Sequence, residues 1–186
     1  MQLCQAQCVA DVVFLNGTVG AGKTTVADAL SDLERHYRRP HAVIDLDQLR
    51  RLWPSTESDP FHLELELENL AVVAANYRRF GAEHLILAGV LESADEVLRY
   101  RKALGIESML ICRLAVAGEV ARDRLQRRHA HDPEGLSWHL ARVEVLSTVL
   151  DRAQLDDLVV DTTMLDAQQV AVEIHHAAGW STFTLR

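Results

Sequence analysis

The chain has 186 residues, of which 48% are hydrophobic, which is enough to bury one core but short for two, so we expect a single domain over residues 1–186. Its formal net charge of −8 would repel a phosphate backbone, which argues against nucleic acid as a partner. No apolar run approaches the roughly 20 residues that span a bilayer, and Cys4, Cys8 and Cys112 form no CxxC pair, so we predict no membrane association and a cytoplasmic location.

The first predicted element is a short apolar run that leads into a glycine-rich turn, as buried parallel strands do before a helix. This strand is Val12 to Asn16, and the helix after the turn should run from about Lys23 to about His36. Four more strands are predicted next to segments of helical spacing, at 42–46, 84–88, 109–114 and 158–160. Alternating strands and helices imply a parallel sheet with helices on both faces.

The segment FHLELELE, at residues 61–68, is ambiguous. Its apolar and acidic residues alternate at period two, which is the pattern of a half-buried strand. Leu and Glu are strong helix formers, however, and the residues that follow have helical spacing. We therefore predict a helix that begins in this segment and ends at about Phe80.

Residues 16–25, NGTVGAGKTT, match the phosphate-binding pattern GxxxxGKT between a predicted strand and a predicted helix. Such a loop turns its N–H groups toward a phosphate, in conformations that a Cβ would obstruct. Lys23 would act catalytically on the β- and γ-phosphates, and Thr24 would bind Mg²⁺. A glycine-rich turn without a ligand is the alternative. The predicted nucleotide-binding residues are Gly17, Thr18, Val19, Gly20, Ala21, Gly22, Lys23, Thr24 and Thr25.

Two carboxylates end the second predicted strand, in the sequence Asp45-Leu46-Asp47. Residues two apart project from the same side of an extended chain, so both would face the phosphate site if the strands are neighbours. Asp47 is predicted to orient the acceptor hydroxyl as a catalytic and substrate-binding residue. Asp45 is predicted to bind substrate, or to hold Mg²⁺ through water. The alternative is that one aspartate caps a helix beginning near Gln48.

An arginine cluster follows the fourth predicted strand, with Arg122, Arg124, Arg127 and Arg128 inside seven residues. On a helix, Arg124 and Arg128 lie four residues apart and share a face. Guanidinium groups can stack on adenine and clamp a phosphoryl group, so both are predicted to be catalytic and Arg124 also to bind nucleotide. A solvated, salt-bridged helix face is the alternative.

A polar loop follows this cluster, and Leu136 is predicted to resume a helix that carries Arg142. A loop flanked by arginines is suited to closing over a reaction and excluding water from it. We therefore predict a short lid at about residues 129–137.

Three segments resemble adenylylsulfate kinases, within the nucleoside-monophosphate-kinase-like group of P-loop kinases: NGTVGAGKTTVADAL, DLDQLR at 45–50, and residues 68–90. HDPEGLSWHLAR, at 131–142, is similar to the family's lid. The resemblance implies a three-layer P-loop fold with a five-stranded parallel sheet in the order 2-3-1-4-5, and ATP with Mg²⁺ as cofactors. It also implies an acceptor site near Asp47, with Arg50 and Arg142 as substrate-binding residues and Thr162 near the adenine.

The sequence departs from this family at the arginines that hold its anionic substrate. Their positions, in a pattern RxENIRR, are occupied here by Glu66, Ala71 and Val72. The segments expected to form the acceptor site are instead rich in acids, which would repel a dianion. We therefore predict a neutral or cationic small-molecule acceptor. The acids are Asp45, Asp47, Glu57, Asp59, Glu64, Glu66 and Glu68.

These patterns indicate a phosphotransferase that moves the γ-phosphoryl group of MgATP to a hydroxyl of a small metabolite, nucleoside or antibiotic. A genuine adenylylsulfate or nucleotide kinase is one alternative. An ATP-binding regulatory module with little turnover is another. The sequence indicates neither the acceptor nor the oligomeric state.

Overall fold

A computed structural model describes residues 9–181 of the chain. Within this range, five strands form one parallel sheet in the order β2-β3-β1-β4-β5, which confirms the predicted sheet. The strands are β1 (Val12–Asn16), β2 (His41–Asp45), β3 (His84–Ala88), β4 (Leu110–Ala115) and β5 (Leu158–Asp161). The helices are α1 (Lys23–His36), α2 (Leu46–Leu49), α3 (Leu63–Arg79), α4 (Ala94–Leu104), α5 (Gly118–Arg128), α6 (Pro133–Ala153) and α7 (Ala167–Ala177).

Two apolar clusters cover the two faces of the sheet. Successive side chains of β1 alternate between them: Val13 and Leu15 pack with α1 and α7, whereas Val12 and Phe14 pack with α3 and α4. Because both faces are covered, β1 and β3 are buried along their whole length and read as continuous apolar runs. The fold therefore has the three layers that the sequence predicted.

The ambiguous acidic segment is helical. In α3 the buried residues are Glu66, Leu67, Leu70 and Ala74, which form a stripe of helical spacing against the sheet. Glu64 and Glu68 are exposed, so the alternation in sequence does not correspond to two faces of a strand. Helix propensity and the apolar stripe together decide the structure here.

Two local predictions need correction. Asp47 does not continue an extended chain after Asp45, because β2 ends at Asp45 and Asp47 lies inside α2. The helix after the predicted lid begins at Pro133 rather than Leu136, because Asp132 caps it through a hydrogen bond from the Gly135 N–H (2.9 Å) and proline fits the first helical position. The connection between α5 and α6 is therefore only residues 129–132.

A buried polar cluster lies at the edge of the sheet where the strands begin. The Glu34 carboxylate of α1 contacts Nδ1 of His84 on β3 and Nε2 of His175 on α7, the latter at 2.9 Å. Burial raises the pKa of Glu34, but the hydrogen bonds from His175 and His84 outweigh it and lower the pKa to about 2. This cluster ties α1, β3 and α7 together at the end of the sheet away from the candidate site.

Cys112 is buried in β4, and burial raises the pKa of its thiol to about 12. Cys4 and Cys8 lie outside the described residues. Among residues 9–181, no helix is long and apolar enough to cross a bilayer.

Candidate active site

The loop between β1 and α1 has the backbone geometry that a phosphate-binding loop requires. Gly17 has a φ of 150°, and a Cβ there would lie 2.8 Å from the carbonyl oxygen of Leu114. Gly22 has a φ of 94° in the left-handed region and precedes the first residue of α1. The loop therefore leads directly into the N-terminus of α1, the positive end of the helix dipole, where free N–H groups can bind an anion.

Lys23 folds back across this loop. Its ammonium donates to the carbonyl oxygens of Gly17 (2.8 Å) and Thr18 (3.0 Å). Burial lowers the pKa of Lys23 to about 8, against the opposing effect of the Asp47 and Asp45 carboxylates. The ammonium is therefore held, partly desolvated, at the place where the motif requires a positive charge.

Asn16 stabilises the start of the loop, a role that the sequence analysis did not predict. Its side-chain oxygen accepts from the N–H groups of Gly17 (2.9 Å) and Leu91 (3.1 Å), and its amide donates to the Leu91 carbonyl (3.3 Å). These contacts join the end of β1 to the segment after β3. The sequence signal that could have identified it is a single asparagine at the end of an apolar strand, since such a residue is buried and needs hydrogen-bond partners.

The predicted arginine cluster divides between two sides of α5. Arg124 donates to the carbonyl oxygens of Gly20 (3.2 Å) and Thr162 (2.9 Å), and Arg128 lines the same cavity as the loop. Arg127 pairs with Asp123 (2.8 Å), and Arg122 lies 3.9 Å from Glu144. The structure therefore brings Arg124 and Arg128 to the site and leaves the other two in surface ion pairs.

Thr162 is near the loop but its side chain is not directed into the cavity. Its buried hydroxyl lies within hydrogen-bonding distance of the carbonyl oxygens of Ala21 (3.2 Å) and Ala115 (3.1 Å). This side chain ties the end of β5 to the loop. Thr18 does not line this cavity but lines a second one of about 410 Å³ between β4, α5 and α6.

Two oxygen donors that suit Mg²⁺ are adjacent beside the loop. The Thr24 hydroxyl lies 3.5 Å from Oδ2 of Asp45. The other oxygen of Asp45 accepts from the Asp47 N–H (3.1 Å), so Asp45 caps α2. This helix begins at Leu46, two residues before the predicted start near Gln48. A hydroxyl and a carboxylate oxygen are hard ligands of the kind that Mg²⁺ prefers, so these residues fit the ion implied by the motif.

Asp47 belongs to an ion-pair network that reaches the core. Arg50 donates to the Asp47 carboxylate, its Nε at 3.1 Å, and lies 3.3 Å from the Glu66 carboxylate. Glu66 is 1% exposed, and the Tyr100 hydroxyl donates to it. Burial raises the pKa of Glu66, whereas Tyr100 and Arg50 act to lower it. The network joins α2, α3 and α4, and it holds the Asp47 carboxylate beside the cavity.

Arg142 of α6 also lines the cavity. It pairs with Glu92, which follows β3, and its guanidinium lies 4.7 Å from the centre of the Phe61 ring. Trp138 precedes Arg142 by one turn of α6 and lines the same cavity. Both predicted substrate-binding arginines, Arg50 and Arg142, are therefore paired with carboxylates.

One cavity of about 880 Å³ joins these elements. We name its two halves by the roles predicted for them. The nucleotide half is formed by the loop, Arg124 and Arg128, and the acceptor half by residues of α2, the segment 59–63, the segment after β3, and α6. Of the predicted acids, Asp45, Asp47 and Asp59 line it, and the buried Glu66 contacts Arg50, which lines it. Glu57, Glu64 and Glu68 do not line it, whereas Glu92 and Glu96, which were not predicted, do.

A family model described as an AAA domain matches residues 13–145, which is more than half of the chain. The chain belongs to this AAA domain family. The family's match begins in β1 and ends within α6, so it includes the phosphate-binding loop, both aspartates and α5. No curated protein matches the chain.

Several solved structures share the fold. The tunicamycin resistance protein of Deinococcus radiodurans is 23% identical, with a TM-score of 0.63 over 91% of this chain and 96% of that one. Shikimate kinase of Acinetobacter baumannii is 18% identical, with a TM-score of 0.59 over 95% and 97%. APS kinase of Mycobacterium tuberculosis is 20% identical, with a TM-score of 0.58 over 91% and 98%. These similarities confirm the predicted fold of P-loop small-molecule kinases.

Sequence reasoning missed many of the residues that line the acceptor half, among them two aromatic side chains and two carboxylates. Phe61, Glu92, Glu96 and Trp138 come from three segments that are distant in sequence and carry no motif. The exposure of Phe61 and Trp138 could not be predicted, since large aromatic residues in helical patterns are more often buried. They come together because α6 packs beside the segment after β3, where Arg142 pairs with Glu92.

Proposed function

We propose that the protein is an ATP-dependent phosphotransferase that transfers the γ-phosphoryl group of MgATP to a hydroxyl group of a small molecule. One observation carries the proposal: the phosphate-binding loop, with Lys23 and the Thr24–Asp45 pair, opens into the same cavity as a positioned carboxylate, Asp47. This is the arrangement that phosphoryl transfer needs, because catalysis depends mainly on alignment and charge stabilisation. The family and the shared fold support a nucleotide-binding protein of this kind.

In this reaction the acceptor oxygen forms a bond to the γ-phosphorus while the bond to the ADP oxygen breaks. Asp47 would orient the acceptor hydroxyl and accept its proton. Lys23 and Arg128 would stabilise the charge on the phosphoryl oxygens, and Arg124 would bind the nucleotide from α5. Mg²⁺, held by Thr24 and through water by Asp45, would neutralise the β- and γ-phosphates.

The charges of the acceptor half favour a neutral or cationic acceptor. Arg50 is paired with Asp47 and Glu66, and Arg142 is paired with Glu92, so the positive charge of both is largely compensated. Asp59 and Glu96 add negative charge to the same half of the cavity. A dianion would have to disrupt these pairs, which makes adenylylsulfate or a nucleoside monophosphate a poor acceptor.

An acceptor screen tests the proposal. Purified protein is incubated with MgATP and a library of neutral, cationic and anionic alcohols, and ADP release is measured, with Lys23→Ala as the control for contaminating kinases. We expect release that requires Mg²⁺ and increases with a neutral or cationic alcohol. Nucleotide binding without acceptor-dependent release from any library member would favour a regulatory module. Efficient use of adenylylsulfate would overturn the proposed acceptor charge. A cytoplasmic location, where MgATP is abundant, remains part of this proposal.

A further inference from the structure

Two partly exposed aromatic side chains face the acceptor half of the cavity. Phe61, before α3, is 41% exposed, and Trp138, on α6, is 54% exposed. Both line the cavity together with Asp47. Large aromatic surfaces inside a cavity bind ligands with apolar faces better than compact polar ones. Their position is therefore informative about the shape of the acceptor.

The Phe61 ring is held in place by its neighbours. The Arg142 guanidinium lies 4.7 Å from the ring centre, and Glu92 pairs with that guanidinium. The backbone beside the ring is fixed as well, because the Asp59 carboxylate accepts hydrogen bonds from the N–H groups of Leu63 (2.8 Å) and Glu64 (3.2 Å). A side chain restrained in this way loses little conformational entropy when a ligand packs against it.

Trp138 continues the same wall. Trp138 and Arg142 are four residues apart on α6, so their side chains lie on one face of the helix, about one turn from each other. The Trp138 indole packs edge-on against the His139 ring, with ring centres 4.9 Å apart. The Phe61 ring, the Arg142 guanidinium and the indole are thus three flat groups along one side of the acceptor half. We name this surface the aromatic wall.

We propose that the acceptor carries a flat apolar group, such as an aromatic ring or a nucleobase, that packs against the aromatic wall while its hydroxyl reaches Asp47. This inference rests on the proposed function and makes it more specific. The acceptor class is then a hydroxylated aromatic compound or nucleoside without an anionic group. Compact polyols and sugar acids would leave the aromatic wall in contact with water.

Binding of three related fragments tests the inference. Phenylalaninol carries a ring, an ammonium and a primary hydroxyl; alaninol lacks the ring; 3-phenyllactate keeps the ring and a hydroxyl but carries a carboxylate. Affinities are measured by NMR titration on the full chain, with MgADP at saturation so that the fragments cannot bind at the adenine position. Saturation transfer from the protein to the phenyl protons reports direct ring contact.

We expect phenylalaninol to bind about tenfold or more tightly than alaninol, with strong saturation transfer to its ring. Phe61→Ser and Trp138→Ser should each remove most of this difference, because each deletes one flat face. Trp53→Ser is the matched control, since Trp53 is 89% exposed and lies outside the cavity lining. Thermal unfolding and MgADP affinity measured on every variant establish that the fold and the nucleotide half are intact.

Equal affinity for phenylalaninol and alaninol would overturn the inference, as would unchanged ring binding in both cavity variants. The phosphotransferase proposal would survive either result, because it depends on MgATP binding and acceptor-dependent ADP release. Tighter binding of 3-phenyllactate than of phenylalaninol would overturn the proposed acceptor charge and leave the aromatic wall supported. Failure to bind MgADP or MgATP would overturn the phosphotransferase proposal itself. The effect of Phe61→Ser and Trp138→Ser on ring binding would then decide whether the aromatic wall binds rings, because the variants locate the ring without MgADP.

Discussion

The two halves of the cavity are built in different ways. The nucleotide half comes mainly from one contiguous stretch, residues 16–25, and its chemistry lies in backbone N–H groups and one lysine. The acceptor half is assembled from side chains of four separate segments, and its arginines are compensated by carboxylates. A phosphate chain is the same in every nucleotide, so a local motif suffices to bind it. An acceptor is particular to one enzyme, and its site depends on long-range packing.

Asp47→Asn should affect the acceptor half without affecting the nucleotide half, and it should cause the largest loss of turnover. The substitution keeps the size of the side chain but removes its charge and its proton-accepting site. Acceptor-dependent turnover should fall by about 10² to 10⁴. MgATP affinity should stay within a few-fold, because the loop and Lys23 are unchanged. Calorimetry with MgATP and an ADP-release assay on one preparation make the comparison.

Glu57→Gln is the matched control for Asp47→Asn, since Glu57 is an exposed acid outside the cavity lining. Wild-type turnover in Asp47→Asn would remove this residue from the mechanism. Loss of MgATP binding alone would instead make it a residue of the metal site.

Lys23→Ala should impair the nucleotide half of the cavity, in contrast to Asp47→Asn. Loss of the ammonium should weaken MgATP binding and lower turnover by about 10² to 10³ or more, as loss of a preorganised charge does. The fold should remain, because Lys23 donates only to carbonyls of its own loop. Stabilisation by MgATP in thermal unfolding is the measurement. Lys102→Ala, an exposed lysine on α4, serves as control. Undiminished stabilisation of Lys23→Ala would show that Gly17 to Thr24 do not bind the nucleotide.

Substitutions of Arg124 and Arg128 should differ in their effect on stability, although the two residues share a helix face. Arg128→Ala should reduce turnover by about 10- to 100-fold with little change in stability, since its side chain is exposed. Arg124→Ala should also destabilise the fold by about 1–3 kcal/mol, because its guanidinium joins α5 to the loop and to Thr162 after β5, whereas Lys23 bonds only within its own loop. Urea unfolding together with kinetics distinguishes them. Wild-type kinetics in the double variant would show that neither arginine takes part in the reaction and that this face of α5 is only a solvated, salt-bridged surface.

The pH dependence of MgATP binding should follow Lys23. Its pKa of about 8 means that the ammonium loses its proton as pH rises through that value. The phosphates bind the protonated form, so affinity should fall about tenfold between pH 7 and pH 9. Titrations at fixed ionic strength test this, with Lys23→Ala as the flat reference. Constant affinity up to pH 9 would contradict the direction of this pKa shift in the free protein.

The same contrast explains how much the sequence could predict. The five strands, the first helix and the phosphate-binding loop follow from local patterns: buried apolar runs, a helix beginning at Lys23, and glycines where a Cβ would collide with Leu114. The sheet order came from the family resemblance. Of the acids that the sequence predicted at the acceptor side, Asp45, Asp47 and Asp59 line the cavity.

The remaining features depend on contacts that no local pattern encodes. Glu66 pairs with Arg50 across 16 positions of sequence, and Arg142 pairs with Glu92 across 50. Sequence reasoning predicted that these arginines bind substrate but could not show that carboxylates compensate their charge. The predicted extended geometry of Asp47 was wrong for a similar reason. Asp45 caps α2, so the helix starts directly after the strand and contains Asp47. The roles of these residues stay predictions until variants are measured.

The most direct test of the phosphotransferase follows the γ-phosphoryl group itself. Protein, Mg²⁺, ATP labelled at the γ-phosphate and the best acceptor from the screen are incubated, and the label is divided between inorganic phosphate and an organic phosphoester. The account predicts that ADP and a labelled phosphoester appear in equal amounts, and only when the acceptor is present. Label released as inorganic phosphate at the same rate with and without the acceptor would contradict it.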